Sequence, residues 1–311
     1  MIGVVFLHEI SIPKNQNSFL TLHGFTNIDL PMQQSIDLLR RKLGAIYPPG
    51  EIIGFTRMIF ESLCGYTPTD ILLHKDTILS EDIHRKIERI TDRLSQQEPI
   101  QYILGYTDFC GRRFDIAPGA LIPRPETEEL TRLVITENSG QPSRIADLGT
   151  GSGCIAVTLA LSLSDSKVEA WDISTEALEI AQRNARKHNA HVNFFQRDIL
   201  RYDVSELPEE SLDIIVSNPP YIPDGDIAGL DVSVRDYEPH LALKGGEDGL
   251  DFYRAIVRNY GGLVKPGGAL CFEFGMGQED AVCAILREGG FAEPELRKDY
   301  RGVVRAVAAN K

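Results

Sequence analysis

The run Asn218-Pro219-Pro220-Tyr221 is the part of the sequence best suited to chemistry. Proline has no backbone N–H and holds the residue before it extended, so the run takes a fixed, open conformation. Two acceptors result, the Asn218 side-chain oxygen and the Pro219 carbonyl oxygen. A planar NH2 group has two donors to match them, and Tyr221 can pack its ring on a flat substrate. We interpret Asn218, Pro219 and Tyr221 as catalytic, and these three with Pro220 as substrate-binding.

An NH2 nitrogen of this kind delocalises its lone pair and is a poor nucleophile until both hydrogens are held and the nitrogen is aimed. Good alignment alone is worth an effective molarity of about 10^5 to 10^8 M, so no strong base is required. The run does not choose the substrate, because adenine, cytosine, guanine and the glutamine amide all carry planar NH2 groups. The alternative, a rigid loop with a structural role only, is disfavoured because the run directly follows a predicted strand.

A glycine-rich segment, D-L-G-T-G-S-G at 147–153, lies between a predicted strand and a predicted helix. Its glycines let the chain turn tightly and let a ligand approach the backbone. A nicotinamide-binding turn would have its third glycine at position 154, which is Cys154. The segment instead resembles the first motif of S-adenosylmethionine-dependent enzymes. We therefore expect cofactor contacts from Asp147, Gly149, Thr150, Gly151, Ser152 and Gly153.

Two acids follow the next two predicted strands. Asp172 lies about 20 residues after the last glycine, where a carboxylate can accept both ribose hydroxyls of a nucleoside. Ser174 is the better helix cap, which leaves Asp172 free for the ligand. Resemblance to S-adenosylmethionine-dependent enzymes places Asp198 at the adenine amino group, with Ile199 beside the ring.

Strands and helices alternate from Ser143 onward, which predicts a largely parallel sheet with helices on both faces. Two last β runs, near 295–298 and 304–309, have no helix between them and predict an antiparallel edge. We therefore expect the α/β, Rossmann-like fold of a class I S-adenosylmethionine methyltransferase. The glycine segment and the Asn218 run both follow strands, at the edge where open α/β sheets bind ligands.

The rest of the chain divides into smaller regions. Residues 1–30 lack periodicity and are expected to be a poorly ordered extension. Apolar residues at helical spacing, such as Ile36, Leu39 and Leu43, predict a small all-helical domain over 31–97. Two short β-prone runs predict a hairpin connector over 98–126. The methyltransferase domain is expected over 127–311, with its first helix beginning at about Thr127 and capped by that hydroxyl.

Composition limits the partners. The chain has 311 residues with 32 Lys and Arg against 45 Asp and Glu, a net charge of -13, so stable nucleic-acid binding is not expected. Its five cysteines form no C-x-x-C pair, which argues against a disulfide framework and a zinc site. We expect no metal, no secretory signal and no membrane segment, and a reducing cytoplasm as the location.

Over residues 33–309 the chain resembles the HemK/PrmC protein-(glutamine-N5) methyltransferases. The glycine and Asn-Pro-Pro-Tyr motifs are shared with many methyltransferases, whereas I-P-R-P-E-T-E at 122–128 and E-P-x-x-A-L at 238–243 are much more specific. The other shared segments are E-P-I-Q-Y-I-L-G at 98–105, Gly245-Gly246, Asp248-Gly249-Leu250, Glu273-x-Gly275-x-x-Gln278 and the D-x-x-G-x-x-R frame at 299–305. The chain departs from the family at Val303 and Val304, where polar residues are more usual.

The resemblance implies methylation of the glutamine in the Gly-Gly-Gln tip of class I peptide chain release factors, with the helical domain docking the partner. It implies that Asn218 touches both S-adenosylmethionine and substrate. Arg124 has two interpretations, a surface ion pair with Glu126 or Glu128, or a role in shaping a lid. The alternatives for the whole chain are a ribosomal-protein glutamine methyltransferase, a nucleic-acid amino methyltransferase of the adenine-N6 type, and a non-catalytic cofactor-binding regulator.

Overall fold

The structure is a computed structural model that describes residues 30–201, 209–299 and 301–311. The predicted extension therefore lies outside the described residues, apart from Leu30. Within the described ranges, no helix is both long enough and apolar enough to cross a bilayer.

The N-terminal region is helical, as its apolar spacing predicts. A capping box formed by Thr67 and Asp70 starts one helix, and Pro49 occupies the first turn of another. Buried apolar side chains from different helices, such as Leu39, Ile59 and Ile87, form one core. The elements are β1 (Leu30–Pro31), α1 (Met32–Leu43), α2 (Pro49–Cys64), α3 (Pro68–Leu73), β2 (Ile78–Leu79) and α4 (Glu81–Ser95).

The connector contains the expected hairpin and, in addition, a short helix. The helix α5 (Ile100–Leu104) ends at Gly105, whose φ of 80° stops it. The hairpin follows as β3 (Tyr106–Phe109) and β4 (Arg112–Asp115), an antiparallel pair. It packs on the C-terminal region, because Phe109 and Phe114 are buried in a core of that region.

The C-terminal region contains a seven-stranded, mostly parallel sheet, which confirms the predicted fold class. Its last two strands pair antiparallel at one edge, as expected. The strands are β5 (Arg144–Leu148), β6 (Lys167–Asp172), β7 (Val192–Gln196), β8 (Leu212–Ser217), β9 (Val264–Glu273), β10 (Glu295–Lys298) and β11 (Val304–Asn310). Their order across the sheet is β10-β11-β9-β8-β5-β6-β7.

Helices cover both faces of this sheet, and neighbouring residues of one strand face opposite layers. In β8, Ile214 packs in one core and Ile215 in the other, as alternation along a strand requires. The helices are α6 (Pro125–Glu137), α7 (Cys154–Ser162), α8 (Thr175–His188), α9 (Val232–Arg235), α10 (Asp251–Tyr260) and α11 (Glu279–Glu288).

Helix α6 begins two residues earlier than expected. Pro125 occupies its first turn and Arg124 is the N-cap residue, so the Thr127 hydroxyl does not cap the helix. Proline suits this position because its missing N–H would have no helical partner there. The Thr127 side chain is instead buried toward the sheet, 4% exposed.

The glycine at the start of α7 gives a stability test. Gly153 has a φ of 79°, and an added Cβ would lie 2.8 Å from the Ala181 Cβ of α8. Gly153→Ala should lower the free energy of unfolding by about 2 to 4 kcal/mol, because backbone strain and overpacking add. Chemical denaturation measures this change.

Gly140→Ala is the matched control, because Gly140 also has a positive φ, 84°, but an added Cβ meets nothing within 4 Å. It should cost only about 1 kcal/mol, the strain alone. Equal losses in the two variants would show that the contact between the turn and α8 is not tight.

Candidate active site

The Asn218 run leaves the sheet at the end of β8, next to the end of β5. The Ser217 hydroxyl donates to the Leu148 carbonyl oxygen at 2.6 Å, and Ser217 is fully buried. Parallel pairing of Asp147 with Val216 sets the same register. The run and the glycine segment therefore emerge side by side at the carboxyl edge of the sheet.

The backbone after Asn218 is fixed by a tight set of contacts. The Ile222 N–H donates to the Leu243 carbonyl oxygen at 3.0 Å, and the Gly245 N–H donates to the Ile222 carbonyl oxygen at 2.8 Å. An added Cβ at Gly245 would lie 2.8 Å from the Pro220 carbonyl oxygen. This close approach explains why the chain places a glycine there.

Gln278 bonds to backbone groups around Tyr221, including the Gly249 carbonyl oxygen, which accepts from its Nε2 at 3.4 Å. Its Nε2 donates to the Tyr221 carbonyl oxygen at 2.9 Å, while its Oε1 accepts from the Gly275 N–H at 2.9 Å. Burial raises the pKa of Tyr221 to about 12, so its ring is a neutral phenol at physiological pH. We infer that Gln278 positions Tyr221. Motif reasoning had not given Gln278 a role, although it falls in one of the segments that carry the family resemblance.

The Asn218 side chain has a defined orientation. Its Nδ2 donates to the Thr127 Oγ1 at 3.2 Å. That bond uses a donor and leaves Oδ1 available as an acceptor, as the hypothesis of a held NH2 group requires.

The glycine turn is tied to the end of β6. The Gly149 and Thr150 N–H groups donate to the Trp171 carbonyl oxygen at 2.8 and 3.0 Å. The Gly151 N–H donates to the Asp172 Oδ2 at 2.8 Å. Asp172 thus lies directly beside the turn, as the spacing predicts, and burial raises the pKa of its carboxyl group.

The glycine turn is open at two of its positions. An added Cβ at Gly151 would meet no atom within 4 Å, and one at Gly149 would meet only the Ile199 Cδ1, at 3.8 Å. Each Asp172 oxygen accepts one backbone N–H, from Gly151 or Ser174, and keeps a second lone pair for a hydroxyl. These residues fit the expected S-adenosylmethionine.

Three of the expected cofactor residues turn their side chains away from this space. Asp147 is fully buried, and its Oδ2 accepts from the Thr150 hydroxyl at 2.6 Å and from the Ala156 N–H at 3.2 Å. The Ser152 hydroxyl contacts the Cys154 sulfur at 3.2 Å. We infer that Asp147, Thr150 and Ser152 shape the turn, and that any contact to a cofactor there comes from backbone atoms.

Asp198 and Ile199 lie directly after β7. Asp198 is partly exposed, and its Oδ1 accepts from the Leu200 N–H at 2.9 Å. Ile199 is buried, 6% exposed, and faces Gly149. Ile199 therefore lies beside the turn, and the contact of Asp198 with an adenine amino group stays a prediction.

The Arg124 guanidinium pairs with Glu238 at 2.5 Å, not with Glu126 or Glu128. The Glu238 side chain is 1% exposed, and its other oxygen accepts from the Ile122 N–H at 3.1 Å. Glu238 lies in the loop that follows Tyr221, so these two contacts join that loop to the connector. The first interpretation of Arg124, a pair with Glu126 or Glu128, is wrong. The second, a role in shaping a lid, stays a prediction.

Asn184 on α8 is a further residue that motif reasoning missed. Its Nδ2 donates to the carbonyl oxygens of Asp115 and Ser152, both at 2.9 Å, and its Oδ1 accepts from the Asp115 N–H at 2.7 Å. It is fully buried. Asn184 therefore joins the hairpin to the glycine turn, a contact that no local pattern in the sequence reveals.

Two family models match the chain, the methyltransferase small domain over residues 109–232 and the PrmC N-terminal domain over residues 49–105. A release factor glutamine methyltransferase of Bacteroides thetaiotaomicron is 43% identical over 274 residues, 88% of this chain and 98% of that protein. Those of Geobacter sulfurreducens and Koribacter versatilis are 37% and 35% identical, over 81% and 91% of this chain and 87% and 99% of their own lengths. The predicted resemblance is confirmed, and the chain belongs to the family of release factor glutamine methyltransferases.

Proposed function

We propose that this protein transfers a methyl group from S-adenosylmethionine to the side-chain amide nitrogen, N5, of the glutamine in the Gly-Gly-Gln motif of class I peptide chain release factors. One observation carries the proposal. The Asn218 amide is held through its Nδ2 on Thr127, beside the glycine turn, with Oδ1 left as an acceptor. The relatives named above support the choice of substrate, and such a substrate places the reaction in the cytoplasm.

In the proposed reaction, each residue from Asn218 to Tyr221 has its own role. Asn218 Oδ1 and the Pro219 carbonyl oxygen accept the two hydrogens of the glutamine amide, while Pro220 keeps the run rigid and the Tyr221 ring packs on the amide plane. Bound S-adenosylmethionine would supply the methyl group from its positively charged sulfur: the new C–N bond would replace the C–S bond, leaving a neutral thioether, and the amide nitrogen would release one proton to water. The run needs no strong base, because the nitrogen becomes acidic as its new bond forms.

The domain boundaries assign a further role. We propose that residues 31–97 form the docking domain for the release factor and that residues 98–126 connect it to the methyltransferase domain at 127–311. The pair Arg124–Glu238 supports this connecting role, because it joins the connector to the loop after Tyr221. A net charge of -13 supports recognition of a protein rather than of a nucleic acid.

Methyl transfer assays with purified substrates test the proposal. We expect incorporation into a release factor, with tandem mass spectrometry locating one methyl group on the Gly-Gly-Gln glutamine. A methyl label on a ribosomal protein alone would favour a ribosomal-protein glutamine methyltransferase. Label on DNA or RNA, with strongly salt-dependent binding, would favour a nucleic-acid amino methyltransferase.

Asn218→Ala should reduce kcat for release-factor methylation by at least about 100-fold, because removing one positioned polar group from a site costs about 10^2 to 10^3 in rate. Affinity for S-adenosylmethionine, measured by calorimetry, should stay within about threefold, because the glycine turn and Asp172 provide most contacts. Asn193→Ala is the control, because Asn193 is exposed on β7. Unchanged turnover in Asn218→Ala would remove the role given to Asn218.

Asp172→Ala should weaken the binding of S-adenosylmethionine by about 10- to 100-fold, the cost of losing a charged acceptor for hydroxyl groups. Calorimetry measures the dissociation constant. Asp165→Ala is the control, because Asp165 is exposed before β6, at the opposite edge of the sheet. Equal affinities in the two variants would contradict a ribose contact from Asp172.

A further inference from the structure

Glu273 is a buried acid that the proposed reaction does not use. It ends β9, next to β8, and is 2% exposed. Its carbonyl oxygen accepts from the Tyr253 hydroxyl at 2.8 Å, and its side-chain Oε2 has no hydrogen-bond partner among the described residues. A buried carboxyl group that is only partly satisfied is costly, so its retention calls for a physical reason.

Thr127 lies between this acid and Asn218. The Thr127 side chain lies close enough to the Glu273 carboxyl group to lower the pKa of that group through hydrogen bonding. The Thr127 Oγ1 accepts a hydrogen bond from the Asn218 Nδ2 at 3.2 Å. Three different elements, α6, β9 and the run after β8, thus meet at one hydroxyl group. Thr127 is 4% exposed, so water does not compete freely for it.

A hydroxyl group has only one hydrogen to donate, and this limits how Asn218 can face the substrate. When the Thr127 hydrogen goes to Glu273, its oxygen can only accept from Asn218, so Nδ2 must face Thr127 and Oδ1 must face away. If the Thr127 hydrogen went to Asn218 instead, the Asn218 amide would be flipped, with Oδ1 facing Thr127. Nδ2 would then face the substrate NH2 group, and two donors would oppose each other.

We propose that Glu273 sets the orientation of the Asn218 amide through Thr127, so that Oδ1 faces the substrate amide. Glu273 and Thr127 are then positioning residues of the reaction given under Proposed function, and the inference rests on that function. The role accounts for a buried acid behind the site, and for a threonine whose hydroxyl caps no helix.

The ionisation of Glu273 supplies an independent readout. Burial raises the pKa of its carboxyl group to about 7, against the lowering effect of Thr127. Above that pH the carboxylate accepts from Thr127, and below it the added proton can donate to the Thr127 oxygen and compete with Asn218. The charged and titratable groups that face Glu273 are Arg124 and Glu126 from the start of α6, Arg305 from β11, Tyr221 from the run and Tyr253 from α10.

Substitutions at Thr127 test the relay in the full-length protein. Thr127→Val keeps the shape and loses the hydroxyl, so kcat for release-factor methylation should fall by about 10- to 100-fold, with KM nearly unchanged. Thr127→Ser restores the hydroxyl and should recover most of that loss. Thr131→Val is the matched control, because Thr131 is buried one turn later on α6 and its hydroxyl donates only to the Thr127 carbonyl oxygen.

The pH profile separates orientation from stability. In the wild type, kcat should fall as the pH decreases through about 7, and in Glu273→Gln this acidic limb should disappear, because the amide does not titrate. Full activity of Thr127→Val, equal losses in Thr127→Val and Thr131→Val, or an acidic limb retained in Glu273→Gln would each overturn the relay. A wild-type protein that methylates no release factor would instead refute the proposed function.

Discussion

The site depends on the parallel pairing of β8, β5 and β6. This pairing places three carboxyl ends at one edge of the sheet, and short hydrogen bonds then lock the segments that leave it. Ser217 joins the end of β8 to the end of β5 at 2.6 Å, and the Asp172 carboxylate joins the end of β6 to the glycine turn at 2.8 Å. Because these bonds are buried or half-buried, a shift of one strand would move the proposed cofactor and the proposed substrate amide out of alignment.

A second layer of polar side chains holds the loops around this edge. Gln278 and Asn184 each bind backbone groups of separate segments, and Glu238 binds the Ile122 N–H and the Arg124 guanidinium. Such bonds replace water at backbone groups that would otherwise be buried without partners. They hold the connector, the run after β8 and the hairpin in place, and amide methylation requires such fixed alignment.

Strand and helix order, the antiparallel edge and the placement of the two motifs at strand ends followed from local patterns, because each depends on residues close in the sequence. The start of α6 was expected at Thr127 because its hydroxyl resembles a cap. Pro125 begins the helix instead, and the hydroxyl serves Asn218, 91 residues away. The partners of Arg124, Gln278 and Asn184 were equally out of reach, since they are set by the packing of distant elements. Asp147 was placed in the right segment, but a pattern does not reveal which way a side chain turns.

We propose that two oxygen atoms, Asn218 Oδ1 and the Pro219 carbonyl oxygen, accept hydrogen bonds from the substrate amide. A crystal structure with a Gly-Gly-Gln peptide and S-adenosylhomocysteine tests this most directly. We expect the glutamine amide nitrogen to lie about 2.7 to 3.2 Å from both Asn218 Oδ1 and the Pro219 carbonyl oxygen. A bound glutamine amide that faces Asn218 Nδ2, or that lies out of reach of the Pro219 oxygen, would contradict it.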